Sequence, residues 1–137
     1  MNILYIDADN ISYKCMKEIK LNSKFDSLHM KKIYGDWSKP ELKNWANLIY
    51  DYGLETIQCF RIGKKQSTDI KLITDLVEDI HLHNNISNIY LISSDSDFTY
   101  LCQLIKKKNI NLTVLSPHDS ILKNYCNNFI ILNQNNN

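Results

Sequence analysis

The strongest constraint in this chain is an alternation. Short runs of consecutive apolar residues, closed by acids, serines or asparagines, are separated by segments whose apolar residues recur at helical spacing. Ile3-Leu4-Tyr5-Ile6 is the first such run, closed by Asp7-Ala8-Asp9-Asn10. Ile89-Tyr90-Leu91-Ile92 is the fullest, with the continuous hydrophobicity of a strand covered on both faces. Further strands are expected around Ile33-Tyr34, over Leu54 to Phe60, over Ile110 to Leu115 and over Phe129 to Leu132. Helical spacing joins Ile11, Cys15 and Ile19, then breaks at Asn22, Ser23 and Asp26. A second helix is expected to open with a Ser38 cap and Pro40, bury Leu42, Trp45, Leu48 and Ile49, and end at Gly53. A third, capped by Ser67 or Thr68, places Ile70, Ile73, Val77 and Ile80 on one face, widened by Leu72 and Leu76. Phe98, Leu101, Cys102 and Ile105 carry a fourth, ending in Lys106-Lys107-Lys108, and a fifth runs from Pro117 to about Cys126. Strands alternating with helices in this way predict right-handed βαβ units, hence a three-layer α/β/α fold on a mainly parallel sheet.

The 137 residues suit one core, so a single domain over 1–132 followed by a polar tail over 133–137 is expected. Hydrophobic residues at 44% and charged residues at 23% exclude a wholly disordered chain. With 16 Lys+Arg against 15 Asp+Glu the net charge is +1, so any site for a polyanion must be local. No apolar stretch reaches the length of a membrane span and no signal peptide is visible, which points to an intracellular protein. Cys15, Cys59, Cys102 and Cys126 lack the CxxC spacing of a zinc site and read as reduced thiols, as expected in the cytoplasm or nucleus.

Open α/β sheets bind ligands beyond the carboxyl ends of their strands, where strand order reverses. Asp7 and Asp9 follow the first strand, Asp95 and Asp97 follow the fourth, and Asp69 opens a helix entered from the polar loop Arg61 to Thr68. If the first and fourth strands are neighbours, Asp7 and Asp95 face one crevice. Carboxylates gathered there repel one another unless a hard cation sits among them, and without Cys or His companions that cation is Mg²⁺ or Mn²⁺. Each acid alone could equally cap a helix, as Asp97 could before Phe98. Yet Ser93-Ser94-Asp95-Ser96-Asp97 supplies more acceptor oxygen than one helix end uses. His81 and His83 lie two apart on a helix and point to different faces. Trp37 and Trp45 read as core or rim.

Four segments carry a resemblance. Ile6-Asp7-Ala8-Asp9-Asn10, Ile33-Tyr34-Gly35-Asp36-Trp37, Lys64-Lys65-Gln66-Ser67-Thr68-Asp69 with Asp75 beyond it, and Ser93-Ser94-Asp95-Ser96-Asp97-Phe98 together resemble the NYN domain family of the PIN-like nuclease superfold. The likeness covers nearly the whole chain. It implies a Mg²⁺- or Mn²⁺-dependent ribonuclease with Asp7, Asp69, Asp95 and Asp97 as its acidic site, Asn10 and Ser94 beside it, and Asp75 as a secondary acid. The family pattern commonly carries Asn where Gln66 stands.

That chemistry is physically consistent. A metal ion can lower the pKa of bound water and neutralise charge developing on phosphorus. Asp7, Asp95 and Asp97 would hold it, and Asp69 would orient the attacking water or bind a second ion. Arg61, Lys64, Lys65 and Lys71 would guide the phosphates of an RNA strand, single-stranded because a narrow acidic cleft admits one backbone better than two. A homodimer is compatible with this reading. The enzymatic alternative is a haloacid-dehalogenase-like phosphatase using Asp7-Ala8-Asp9 and Asp95-Ser96-Asp97. The non-enzymatic one is an RNA-binding or scaffold protein with a vestigial site.

Overall fold

Alternate residues of β1 (Asn2–Asp7) belong to opposite cores. The computed structural model describes residues 1–16 and 27–132. Ile3 and Tyr5 pack with Ile89, Leu91, Leu112 and Val114 on one face of the sheet, whereas Leu4 and Ile6 pack with Ile33, Ile92 and Leu115 on the other. Such burial on both sides is what an apolar run without polar alternation requires.

The strands that follow are β2 (Met30–Gly35), β3 (Glu55–Gln58), β4 (Asn88–Ile92), β5 (Asn111–Ser116) and β6 (Asn128–Ile131). Their order is β3-β2-β1-β4-β5-β6 and every pairing is parallel. The chain winds outward from β1 in one direction and then from β4 in the other. Strand order therefore reverses between them, with Ile6 opposite Ile92. Leu42, Trp45 and Leu48, from the 3-10 helix Pro40–Trp45 and from α1 (Ala46–Tyr52), cover the Leu4 and Ile6 face. Gly53 ends α1 in the left-handed conformation at φ 62°, which a glycine adopts without steric cost. Helices α2 (Thr68–Leu82) and α3 (Thr99–Lys107) cover the Ile3 and Tyr5 face. The fold is three-layer α/β/α, as the alternation predicts. The four cysteines are unpaired, and burial pushes the Cys102 thiol up to about 12.

Where the first helix is expected to begin, a 3-10 turn, Tyr13–Cys15, is capped by Ser12; Ile19, Asn22, Ser23 and Asp26 lie outside the described residues. Elsewhere local chemistry departs from expectation in three places. Ser38 does not cap the next helix, because its hydroxyl donates to Asp36 Oδ1 at 2.6 Å and Lys39 takes the cap position. The segment after Pro117 becomes helical only at Ile121–Tyr125, as a 3-10 helix capped by Ser120. Ser116, Asp119 and Ser120 engage the intervening backbone and compete with an earlier start.

The third departure is the buried face of α2. Leu72 and Leu76 are buried as expected and Ile73 and Ile80 pack partly against the core, but Asp79 is buried while Ile70 and Val77 are exposed, so the buried face is shifted toward the side of Leu72, Leu76 and Asp79. Polar contacts account for this. Asp79 Oδ2 accepts from Tyr5 Oη at 2.6 Å and Lys32 Nζ at 2.8 Å, and Asp75 Oδ2 accepts from Tyr34 Oη at 3.1 Å. Both phenols titrate far above their ordinary value, through burial first and then the adjacent carboxylates. Asp79→Ala leaves a buried hydroxyl and a largely covered ammonium unpaired, and should cost about 3 kcal/mol. Tyr5→Phe, which removes one donor, should cost about 1 kcal/mol. Urea unfolding of both variants checks this ranking; equal losses would contradict it.

Candidate functional site

Asp7 ends β1 with the parity of Ile3 and Tyr5, so it faces the side covered by α2 and α3. Those helices begin beside the two other acidic segments. Asp69 lies in the first turn of α2, where the helix dipole favours a negative charge. Asp95 caps the 3-10 turn Ser96–Phe98, accepting the Asp97 N–H on Oδ1 at 2.9 Å. The capping role expected of Asp97 thus falls to Asp95, and Asp97 is left to meet Asp69. Carboxylate oxygens of Asp69, Asp95 and Asp97 all lie within 4.8 Å of one another. Asp97 holds its proton to higher pH than an ordinary carboxyl, first because Asp95 carries like charge and then through a hydrogen bond with Asp69.

Asp7 is not one of those three, yet it is electrostatically joined to them. It is fully buried, and that burial pushes its carboxyl up to about 6, with the charges of Asp95 and Asp9 adding to the rise. Hydrogen bonds from Asn10 Nδ2 and Ser93 Oγ, each 2.8 Å from Asp7 Oδ2, act in the opposite sense. Its Oδ1 has no hydrogen-bond partner. A buried carboxylate oxygen without a donor is costly unless something positive meets it.

Asp9 is a different kind of acid. Its Oδ2 accepts from the Asp36 N–H at 3.1 Å, Gln66 Nε2 at 2.8 Å and the Thr68 hydroxyl, while Oδ1 meets Lys39 Nζ at 3.2 Å. This residue ties the end of β2, the polar loop and the start of α2 together. Gln66, standing where the family pattern commonly has Asn, supplies one of those donors and also reaches Thr68 Oγ1 at 3.0 Å.

The remaining predicted residues are spread around this centre. Arg61, Lys64 and Lys65 sit in an exposed turn in which Ile62 bridges Lys65, Arg61 Nη2 donates to the Lys64 carbonyl at 3.3 Å, and Gly63 takes φ 62°. Lys71 is engaged with Asp75 at 3.0 Å, and that pairing raises its pKa. Asp75 itself faces Lys71 and Tyr34, outside the three-acid group. The Ser94 carbonyl accepts from Ser120 Oγ at 3.0 Å, which ties β4's end to the segment after β5.

Ser93 is the residue that sequence reasoning passed over as a site member. Its hydroxyl donates to Asp7 and accepts the Asp95 N–H at 3.1 Å, so it couples the two acidic segments. The legible signal was its position directly after the most buried strand.

An all-oxygen set of three clustered carboxylates, with a fourth buried beside them and one of its oxygens unpartnered, fits a hard divalent cation in its donor chemistry. No described helix is long and apolar enough to cross a membrane. No curated protein matches the chain significantly. The NYN domain family, in contrast, matches over residues 3–133, nearly the whole sequence. The acids expected from the resemblance stand at the carboxyl edge of a sheet of the expected kind, and the chain belongs to the NYN domain family.

Proposed function

We propose that this protein is a metal-dependent ribonuclease that hydrolyses phosphodiester bonds of single-stranded RNA, with Asp7, Asp95 and Asp97 holding Mg²⁺ or Mn²⁺. The observation that carries the reading is the gathering of Asp69, Asp95 and Asp97 within 4.8 Å at the strand-order reversal, beside the buried Asp7, in a chain of a PIN-like nuclease family. A divalent cation bound there would activate water and neutralise charge developing on the phosphate. The chain supplies the rest. Asn10 and Ser93 hold Asp7 Oδ2 and leave Oδ1 without a donor, able to take a cation. Asp69, hydrogen-bonded with Asp97, would orient the attacking water and take up its proton. Arg61, Lys64 and Lys65 would steer phosphates toward the acids. The intact acid set weighs against a vestigial site.

Incubation of labelled single-stranded RNA with Mn²⁺ should give cleavage that chelator abolishes. Asp7→Asn, Asp69→Asn, Asp95→Asn and Asp97→Asn should each lower the rate more than about a hundredfold, the scale of removing one group that stabilises transition-state charge. Asp75→Asn should have a smaller effect. Phosphate release from a monoester in preference to RNA cleavage would favour the phosphatase, and tight RNA binding without turnover the scaffold.

The Asp7 carboxyl also predicts a pH signature in chelator. Its folded pKa of about 6 lies above the ordinary 3.8, so the folded state binds the proton more tightly. Stability from this group is therefore present below about pH 4 and lost as pH rises through about 6, by at most about 3 kcal/mol. Asp7→Asn should remove that loss, so the variant gains on the wild type between pH 4 and pH 7. Denaturant unfolding across this range measures it; a constant difference would contradict the assignment.

A further inference from the structure

β3 ends in Gln58, and the next two residues turn from core to solvent: Cys59 is buried and Phe60 is 74% exposed. Ile62 and Ile70 are exposed at 68% and 59%, an apolar group that no core packing explains. Two hollows share Gln58 and Phe60 in their lining. One is lined also by Asp36, Ser38 and Arg61, the other by Ile62, Ile70, Lys71 and Thr74. The Ser67 hydroxyl donates to the Phe60 carbonyl, so the ring's backbone is pinned to the cap of α2, two residues before Asp69.

We propose that Phe60 is a stacking platform for one unpaired base of the RNA strand, held in the hollow between Ile62 and Ile70. This subsite rests on RNA being the substrate. Charge and continuity select a nucleotide as the occupant. Among the described residues no carboxylate pairs with Arg61, Lys64 or Lys65, so the exposed turn that follows Phe60 carries three cations without a carboxylate partner, Arg61 beside Phe60 in one hollow and bonded to the Lys64 carbonyl. In the hollow that Arg61 lines, Asp36 offsets the cation, its carboxyl held low by donors from Ser38 and Gln58, whereas no carboxylate lines the hollow of Ile62 and Ile70. The strand is thereby directed along the Ile62 and Ile70 side, Ile70 being the residue that follows Asp69 in α2. An aromatic face beside free cations is how proteins hold single strands without reading sequence. A protein partner needs about 800 Å² on each side, far more than these few side chains offer.

The test is binding of a fluorescein-labelled single-stranded RNA octamer, followed by anisotropy in an Asp95→Asn background, which should not cleave it. Phe60→Ala should weaken binding about tenfold, the scale of one base–aromatic stack. Phe60→Leu should weaken it similarly, since it keeps apolar area without a ring face, and Phe60→Trp should restore it. In the otherwise unchanged protein, Phe60→Ala should raise KM for RNA cleavage and leave kcat. Binding insensitive to Phe60→Ala, or absent altogether, overturns the subsite even if RNA is cleaved. Phe60-dependent binding by a protein that never cleaves with Mn²⁺ upholds the subsite and overturns the nuclease. A dimer that Phe60→Ala dissociates would assign this face to self-association and overturn the proposal.

Discussion

The parallel pairing of β1 with β4 forces a buried carboxylate against other carboxylates. Register sets Ile6 opposite Ile92, so the next residues, Asp7 and Ser93, meet at the crevice through a 2.8 Å hydrogen bond. From there the chain has little freedom. Ser93 fixes the Asp95 N–H, Asp95 caps the turn that carries Asp97, and Asp97 meets Asp69 at the start of α2. The helix end at Asp69 contributes partial positive charge, yet the pKa of Asp97 still rises, so like charge dominates there. Repulsion carried in this way at the end of a central strand is a cost that a bound cation would relieve.

Two acids two residues apart show how donor supply separates structure from chemistry. Asp9 receives donors from Asp36, Lys39, Gln66 and Thr68 and is spent on holding the loop and α2 in place. Asp7 receives two donors on one oxygen and none on the other. A satisfied carboxylate fastens elements together, while an unsatisfied buried one has reason to take a cation. The Asp9 anchor also sets where the cationic turn and Phe60 stand, since Gln66 and Thr68 bracket the Ser67 that binds the Phe60 carbonyl.

The layer order and the position of the acids were legible because both follow from apolar runs and what closes them. Ile89 to Ile92 has the continuous hydrophobicity of a strand covered on both faces, which places the acids after it at its carboxyl end. The orientation of α2 was not legible. Ile70, Ile73, Val77 and Ile80 form the better hydrophobic stripe, but the phenols of Tyr5 and Tyr34 and the ammonium of Lys32 draw Asp75 and Asp79 inward and turn the helix. Such cross-element polar contacts leave no periodic trace. The same rotation leaves Ile70 exposed. Caps were similarly ambiguous, because Ser38 had a better partner in Asp36 and Ser67 in the Phe60 carbonyl.

The central claim is that carboxylates from separate segments form one cation site, and its most direct measurement is thermal unfolding of the wild type and Asp95→Asn with and without Mn²⁺. Asn keeps the shape and the capping ability of Asp95 while removing one negative charge. In chelator the variant should be more stable by about 1 kcal/mol, the size of gain that follows relief of one unfavourable functional interaction. Mn²⁺ should raise the wild-type melting temperature by mass action and leave the variant almost unmoved. Equal stability in chelator, together with an equal response to Mn²⁺ in both proteins, would show that Asp95 is a helix cap and no more, and would contradict the account.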